Sequence, residues 1–228
     1  MNIVKLVFGV LLICLPARAD VVNSDNTDSA STTTASMERQ YSRASVSVVE
    51  VGRADSSGYG TGTVFELDKK MFVLTAAHVV EGVLNPVIRK GSAEVVGNIV
   101  YYDESSDIAV ISIDSSHNGL VPISTKFRKK SPSMGEKVFY CGYPNRKDIA
   151  CFTGLVSHVN GDTINIHSYA WMGASGSAVL DKKGKIVGVL SAVEVGMAWG
   201  MPHIVEDVVW VRGLDESFWA AYENNFST

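Results

Sequence analysis

Three side chains of the types needed for nucleophilic acyl transfer occur along this chain in the order histidine, aspartate, serine. His78 closes the run Val73-Leu74-Thr75-Ala76-Ala77-His78-Val79-Val80, a strand pattern that ends in small residues. An imidazole titrates near pH ~6.5, so it can take a proton from a hydroxyl and return it to a leaving amine. Asp107 leads into the apolar strand pattern Ile108 to Ile113, where a carboxylate can hold a histidine tautomer and stabilise the imidazolium. Ser175 lies in Gly173-Ala174-Ser175-Gly176-Ser177, ahead of the apolar Ala178-Val179-Leu180. Glycines on both sides permit a tight turn that exposes the hydroxyl and aims backbone N–H groups at a reacting carbonyl. Each pattern alone has a plainer reading: a structural histidine, a turn-capping acid and a surface turn. Asp103 and Asp114 compete with Asp107, but Asp103 sits in an acidic turn and Asp114 at the far end of the same strand.

Positioning three such groups calls for a rigid scaffold, and the sequence outlines one. Short β-branched runs recur between turn signals at 61–67, 71–75, 95–101, 108–113, 137–141, 153–159, 163–167, 177–180 and 186–193. Repeated short strands predict an all-β barrel or sandwich. Asn160-Gly161-Asp162 marks a hairpin between two of them. Val46, Val48 and Val49 begin the strand pattern at the N-terminal side. Helical spacing is expected after Pro202, where Val205, Val208 and Val209 recur at three- and four-residue steps, and again near Phe218 to Tyr222.

Composition limits the function classes. The chain has 228 residues, 46% of them hydrophobic, and a formal net charge of -4, which provides no overall basic field for nucleic acid. Residues 1–19 read as a signal peptide: Lys5 is followed by the apolar run Leu6 to Leu15 and by Ala17-Arg18-Ala19 as a cleavage site. The run is shorter than the ~20 residues of a spanning helix, so no permanent membrane anchor is expected. The expected location is therefore periplasmic or secreted. Residues 20–43, with Asn23 to Thr34 as their core, are polar and low in complexity and read as a flexible leader to an ordered unit at 44–228. Cys14 leaves with the signal, and the remaining pair, Cys141 and Cys151, flanks a turn-rich stretch. A disulfide clamping a hairpin loop is the preferred reading, with two free buried thiols as the alternative. The remaining histidines have no metal-ligand spacing, so neither a metal nor a cofactor is expected. Trp171 and Met172, just ahead of the serine turn, either shape a cleft or pack in the core.

Together the three patterns resemble the trypsin-like serine peptidases, and among them the bacterial HtrA/Deg-like exported branch. The resemblance spans about residues 44–212 and includes Gly60-Thr61-Gly62-Thr63, Thr75-Ala76-Ala77-His78, Asp107-Ile108-Ala109-Val110, the Gly-x-Ser-Gly turn and Gly184-Lys185-Ile186-Val187-Gly188-Val189. It implies a chymotrypsin-like fold of two six-stranded antiparallel β-barrels, about 44–120 and 121–203, and a C-terminal helical segment. It also implies a serine endopeptidase acting on polypeptides, with His78, Asp107 and Ser175 as triad and the N–H groups of Gly173 and Ser175 as oxyanion hole. By the same resemblance Tyr169 lies at the floor of the primary pocket, and Ser191, Ala192 and Val193 form the substrate-pairing segment. No aspartate falls near Tyr169, which argues against a preference for lysine or arginine. Ser177 departs from the family's second glycine, and Ala174 replaces the aspartate that digestive zymogens use for activation. The stretch after the barrels is too short for a PDZ domain. The competing readings are a catalytically inactive binding or assembly module of the same fold and an esterase of the α/β-hydrolase type. The chain order disfavours the second.

Overall fold

Several strands here are apolar at nearly every position, which requires that both of their faces be covered. The computed structural model describes residues 38–53, 57–114, 119–124, 126–146, 148–198 and 201–226, with backbone alone for 194–198 and 201–206. Its strands fall into two antiparallel units. In the first, β1 (Val48–Gly52), β2 (Tyr59–Leu67), β3 (Lys70–Thr75), β4 (Val87–Lys90), β5 (Ala93–Val96), β6 (Asn98–Asp103) and β7 (Ile108–Ile113) form a seven-stranded sheet ordered β5-β4-β1-β2-β3-β7-β6. In the second, β8 (Lys137–Gly142), β9 (Ala150–Asn160), β10 (Thr163–His167), β11 (Ala178–Asp181), β12 (Ile186–Ala198) and β13 (Met201–Gly213) close into a six-stranded barrel. The second unit matches the six-stranded closed barrel expected. The first has seven strands and an open ladder, because the run at 95–101 breaks at Gly97 into β5 and β6. A Cβ at Gly97 would lie 2.3 Å from the Ile111 side chain, so the strand bends where only glycine fits.

Period-two alternation explains the continuous apolar runs. Along β3, Met71 and Val73 point into the first sheet's interior with Val49, Val51 and Ile88, while Phe72 and Leu74 point to a seam between the two units. Along β8, Val138 and Tyr140 face the barrel interior, and Phe139 and Cys141 face the same seam. The seam is closed by α2 (Glu216–Glu223), capped by Asp215, whose carboxylate accepts the Phe218 N–H at 2.8 Å. Phe218 is fully buried among Tyr101, Phe127 and Phe226, which is worth ~1.5–3 kcal/mol relative to exposure.

Two local expectations are corrected. The valines at 205, 208 and 209 lie on β13 and not on a helix, so the barrel extends beyond 203 to Gly213. Val209 pairs with Ile166 on one side and Val193 on the other, and that two-sided ladder overrides a spacing that also suits a helix. Residues 38–47, which include the end of the expected leader and Val46, form a helix, α1. It is held by Tyr41 against Phe139 and by buried Ala44. The signal peptide and residues 20–37 lie outside the described residues. The hairpin at Asn160 is present: Asn160 pairs with Thr163 across Gly161, whose φ is 57°.

Candidate active site

His78 is delivered by β3, which runs into a 3₁₀ turn at Ala77–Val79. Asp107 stands at the mouth of the neighbouring β7, in the left-handed region at φ 51°, a conformation aspartate tolerates better than most residues. The Nδ1 of His78 lies 2.9 Å from Oδ2 and 3.0 Å from Oδ1 of Asp107, and the His78 backbone N–H donates to Oδ1 at 3.0 Å. Burial alone would raise the Asp107 carboxyl. The hydrogen bonds from the His78 ring, the Ser191 hydroxyl and the His78 N–H outweigh it, and the net effect holds the group below its ordinary value. The His78 side chain remains 45% exposed, open to a reactant on its other edge. Asp103 is engaged elsewhere, accepting from the Ser105 and Ser106 N–H groups and the Ser217 hydroxyl.

Ser175 comes from the other unit, in the turn before β11. The turn is built on bonds from Ala174 N–H to Trp171 O at 3.0 Å and from Ser177 N–H to Ala174 O at 3.1 Å. Gly176 has φ 89°, and a Cβ there would fall 2.0 Å from the Thr61 carbonyl. Gly173 has φ 96°, and a Cβ there would meet Tyr143 O and the Tyr59 ring, both at 2.5 Å. Both positions therefore require glycine. Asn145 N–H donates to Met172 O at 2.8 Å, which fixes the peptide unit that carries the Gly173 N–H. Among the described residues neither the Gly173 nor the Ser175 N–H is spent on another group.

Ser191 on β12 links the halves. Its hydroxyl donates to Asp107 Oδ2 at 2.5 Å, and its carbonyl accepts the Ser175 hydroxyl at 3.2 Å. Two sets of hydrogen bonds thus meet at Ser191, His78–Asp107 through its hydroxyl and Ser175 through its carbonyl, while the Ser175 hydroxyl is directed to Ser191 O and not to the His78 ring. Ala192 is exposed and Val193 half-buried along the same strand. Tyr169 is 52% exposed and its ring stacks on that of Trp171. Cys141 and Cys151 form a disulfide between directly paired positions of β8 and β9.

Residues that sequence reasoning did not single out also shape the site. Thr61 donates its N–H to Ser175 O and its hydroxyl to Gly173 O, both at 2.7 Å, and its Oγ1 accepts the Tyr143 N–H at 2.9 Å. Its place inside Gly60-Thr61-Gly62 was the available signal, since a threonine between two glycines marks a close backbone approach. The part of Ser191 that reaches Asp107 had no local signal, because the contact spans 84 residues.

Comparison with known proteins bears on the family and the fold. The chain is 28% identical over 147 residues to "Protease Do-like 1, chloroplastic" of Arabidopsis thaliana, covering 59% of this chain and 33% of that protein. It is 27% identical over 164 residues to "Putative serine protease HhoB" of Synechocystis, covering 65% and 39%. It therefore spans between a third and two fifths of the length of these relatives. Among solved structures, the Rv3671c protease of Mycobacterium tuberculosis in an inactive form superposes with a TM-score of 0.64 at 20% identity, over 86% of this chain and 96% of that one. The serine endoprotease from Yersinia pestis superposes with a TM-score of 0.64 at 19% identity, over 83% and 65%. The family model described as the trypsin-like peptidase domain matches residues 60–189, more than half of the chain and the stretch that holds every residue of the gathered site except Val193, Ser191 and Ala192 just past its end. The chain belongs to the trypsin-like peptidase domain family.

Proposed function

We propose that this protein is a serine endopeptidase that hydrolyses polypeptides through Ser175, His78 and Asp107. The observation that carries the reading is the double contact of Asp107 with the His78 ring, set by Ser191 beside the Gly173–Ser175 turn. In the reacting state the Ser175 hydroxyl leaves Ser191 O and donates to His78 Nε2. Oγ then bonds to the scissile carbonyl carbon while its proton passes to Nε2, and Asp107 stabilises the imidazolium. The Gly173 and Ser175 N–H groups receive the negative oxygen; one such donor is worth ~2.7–4 kcal/mol in comparable sites. Collapse breaks the C–N bond, His78 gives its proton to the leaving amine, and an acyl-enzyme remains. Water, deprotonated by His78, then cleaves the ester and restores the hydroxyl.

The backbone of Ser191 to Val193 pairs with the acyl side of the substrate, and Tyr169, Trp171, Ala192 and Val193 offer apolar and aromatic surface to its side chains. The lack of an acid beside Tyr169 favours uncharged side chains. Export through residues 1–19 puts the Cys141–Cys151 disulfide in a compartment where it persists. The test uses purified mature protein with casein and a peptide library, beside Ser175→Ala, and a fluorophosphonate probe. Cleavage and labelling by the native chain and loss of both in Ser175→Ala support the reading. Equal cleavage by both proteins removes Ser175 as nucleophile, and absence of both cleavage and labelling favours the inactive binding module.

A further inference from the structure

Four successive carbonyls of the serine turn are each held by a donor. Met172 O takes the Asn145 N–H at 2.8 Å, and Gly173 O takes the Thr61 hydroxyl at 2.7 Å. Ala174 O takes the Ser177 N–H at 3.1 Å and the Ser177 hydroxyl at 2.6 Å, and Ser175 O takes the Thr61 N–H at 2.7 Å. Two of the four are held by one residue, and that residue comes from β2 in the other unit. The hold matters because the turn is otherwise loose: Gly173 and Gly176 sit at φ 96° and 89°, and glycine has the widest choice of backbone angles. Gly173 O lies between the Gly173 and Ser175 N–H groups along the chain, so a rotation of its peptide unit changes how those two donors converge.

Thr61 is itself firmly placed. It is fully buried, and its carbonyl accepts the Thr75 hydroxyl at 2.8 Å. Its Oγ1 accepts the Tyr143 N–H at 2.9 Å. A backbone N–H can only donate, so a lone pair of Oγ1 is used on Tyr143 and its proton is left for Gly173 O. The direction of that bond is therefore fixed. The surroundings are shaped to the hydroxyl: a Cβ on Gly142 would come within 3.0 Å of Oγ1, and one on Gly176 within 2.0 Å of the Thr61 carbonyl. Valine would match the outline of Thr61 but leave both the Tyr143 N–H and Gly173 O without this partner.

Resting on the endopeptidase reading, we propose that the Thr61 hydroxyl is a positioning group for the oxyanion hole. It touches neither the substrate nor the reacting atoms, and acts through the Gly173 carbonyl on the two N–H groups that receive the negative oxygen. The test compares native protein with Thr61→Val, Thr61→Ala and Thr61→Ser on the best-cleaved library peptide. Melting curves and end-point fluorophosphonate labelling count the folded molecules with a reactive serine. Per such molecule, Thr61→Val should lower kcat by about 10- to 100-fold, less than the loss of a donor outright, with KM within about twofold of native. The affinity for a peptide aldehyde of the same acyl-side sequence should fall by the same factor, because its hemiacetal with Ser175 sets an oxygen at those N–H groups. The affinity for the corresponding peptide amide should stay as it is, and Thr61→Ser, which keeps the hydroxyl, should recover most of the loss. If Thr61→Val does not fold, Thr61→Ala, which opens room for a water between the same two groups, should show the same split at about three- to tenfold. Native kcat in the variants lacking the hydroxyl, a loss confined to KM, an aldehyde affinity that does not follow kcat, or a Thr61→Ser as poor as Thr61→Val overturns the proposal, while cleavage by native protein leaves the peptidase reading intact. Neither cleavage nor labelling by native protein overturns both.

Discussion

Ser177 occupies the space that Gly142 leaves open: a Cβ on Gly142 would fall 2.4 Å from the Ser177 Oγ, which instead donates to Ala174 O at 2.6 Å. The serine that departs from the family's glycine is thus accommodated by a glycine on the facing strand. Its hydroxyl also ties down the carbonyl just before Ser175. Gly142→Ala should destabilise the fold by about 1–3 kcal/mol through overpacking and lower kcat by disturbing the serine turn. Ser177→Gly alone should cost about 1 kcal/mol for the lost bond. Combined, they should cost less than their sum, since Ser177→Gly removes the group that Gly142→Ala strikes. Denaturant midpoints of the four proteins measure the coupling, and additive losses would refute it.

Asp107 connects stability to pH. Its carboxyl is held below the ordinary value in the folded state, so its stabilisation is complete above the unfolded-state value near ~3.9 and is lost as pH falls through the folded value. Asp107→Asn should therefore flatten the acid side of the stability profile below about pH 5. It should also lower kcat by about 10⁴-fold at neutral pH, because an amide no longer enforces the productive tautomer. Urea melts across pH, paired with peptide turnover, check both.

The disulfide closes a loop of sequence separation 10 whose backbone also supports the serine turn, through Tyr143 N–H to Thr61 and Asn145 N–H to Met172. Chain entropy assigns such a loop about 2–3 kcal/mol. Reduction with dithiothreitol, or Cys141→Ser with Cys151→Ser, should lower the melting temperature by roughly 4–12 °C. Activity should fall beyond what the unfolded fraction explains, which turnover measured well below the transition would reveal.

Arg128 holds Asp181, a carboxylate only 3% exposed, at 3.1 Å, and Glu136 at 2.5 Å. Asp181 also accepts the N–H groups of Lys183 and Lys185 through Oδ1. Arg128→Met should cost about 3 kcal/mol, since it strands a buried charge. It should leave the Ser175 turnover per folded molecule unchanged. A guanidinium chloride titration and active-site titration separate the two.

What the sequence made legible follows the range of the interactions. His78 and Ser175 were readable because each sits in a local pattern of strand end or glycine turn. Asp107 was preferred to Asp103 because an acid opening an apolar strand is aimed differently from one inside a turn; in the structure Asp103 accepts N–H groups of its own turn and Asp107 lies against the His78 ring. The valines after Pro202 misled because spacings of three and four fit a helix, while the two-sided pairing of β13 is fixed by partners 16 to 43 residues away, such as Val193 and Ile166. The helix at 38–47 was hidden because its support, Tyr41 on Phe139, spans most of a hundred residues. The contact of the Ser191 hydroxyl with Asp107 was invisible for the same reason.

Thr61 belongs to the first sheet, yet it grips the Gly173 and Ser175 carbonyls of the second unit. His78 and Asp107 also come from the first sheet. On the proposed reading neither unit alone holds the full set of groups, so a Ser175 whose partner unit is unfolded would be unarmed.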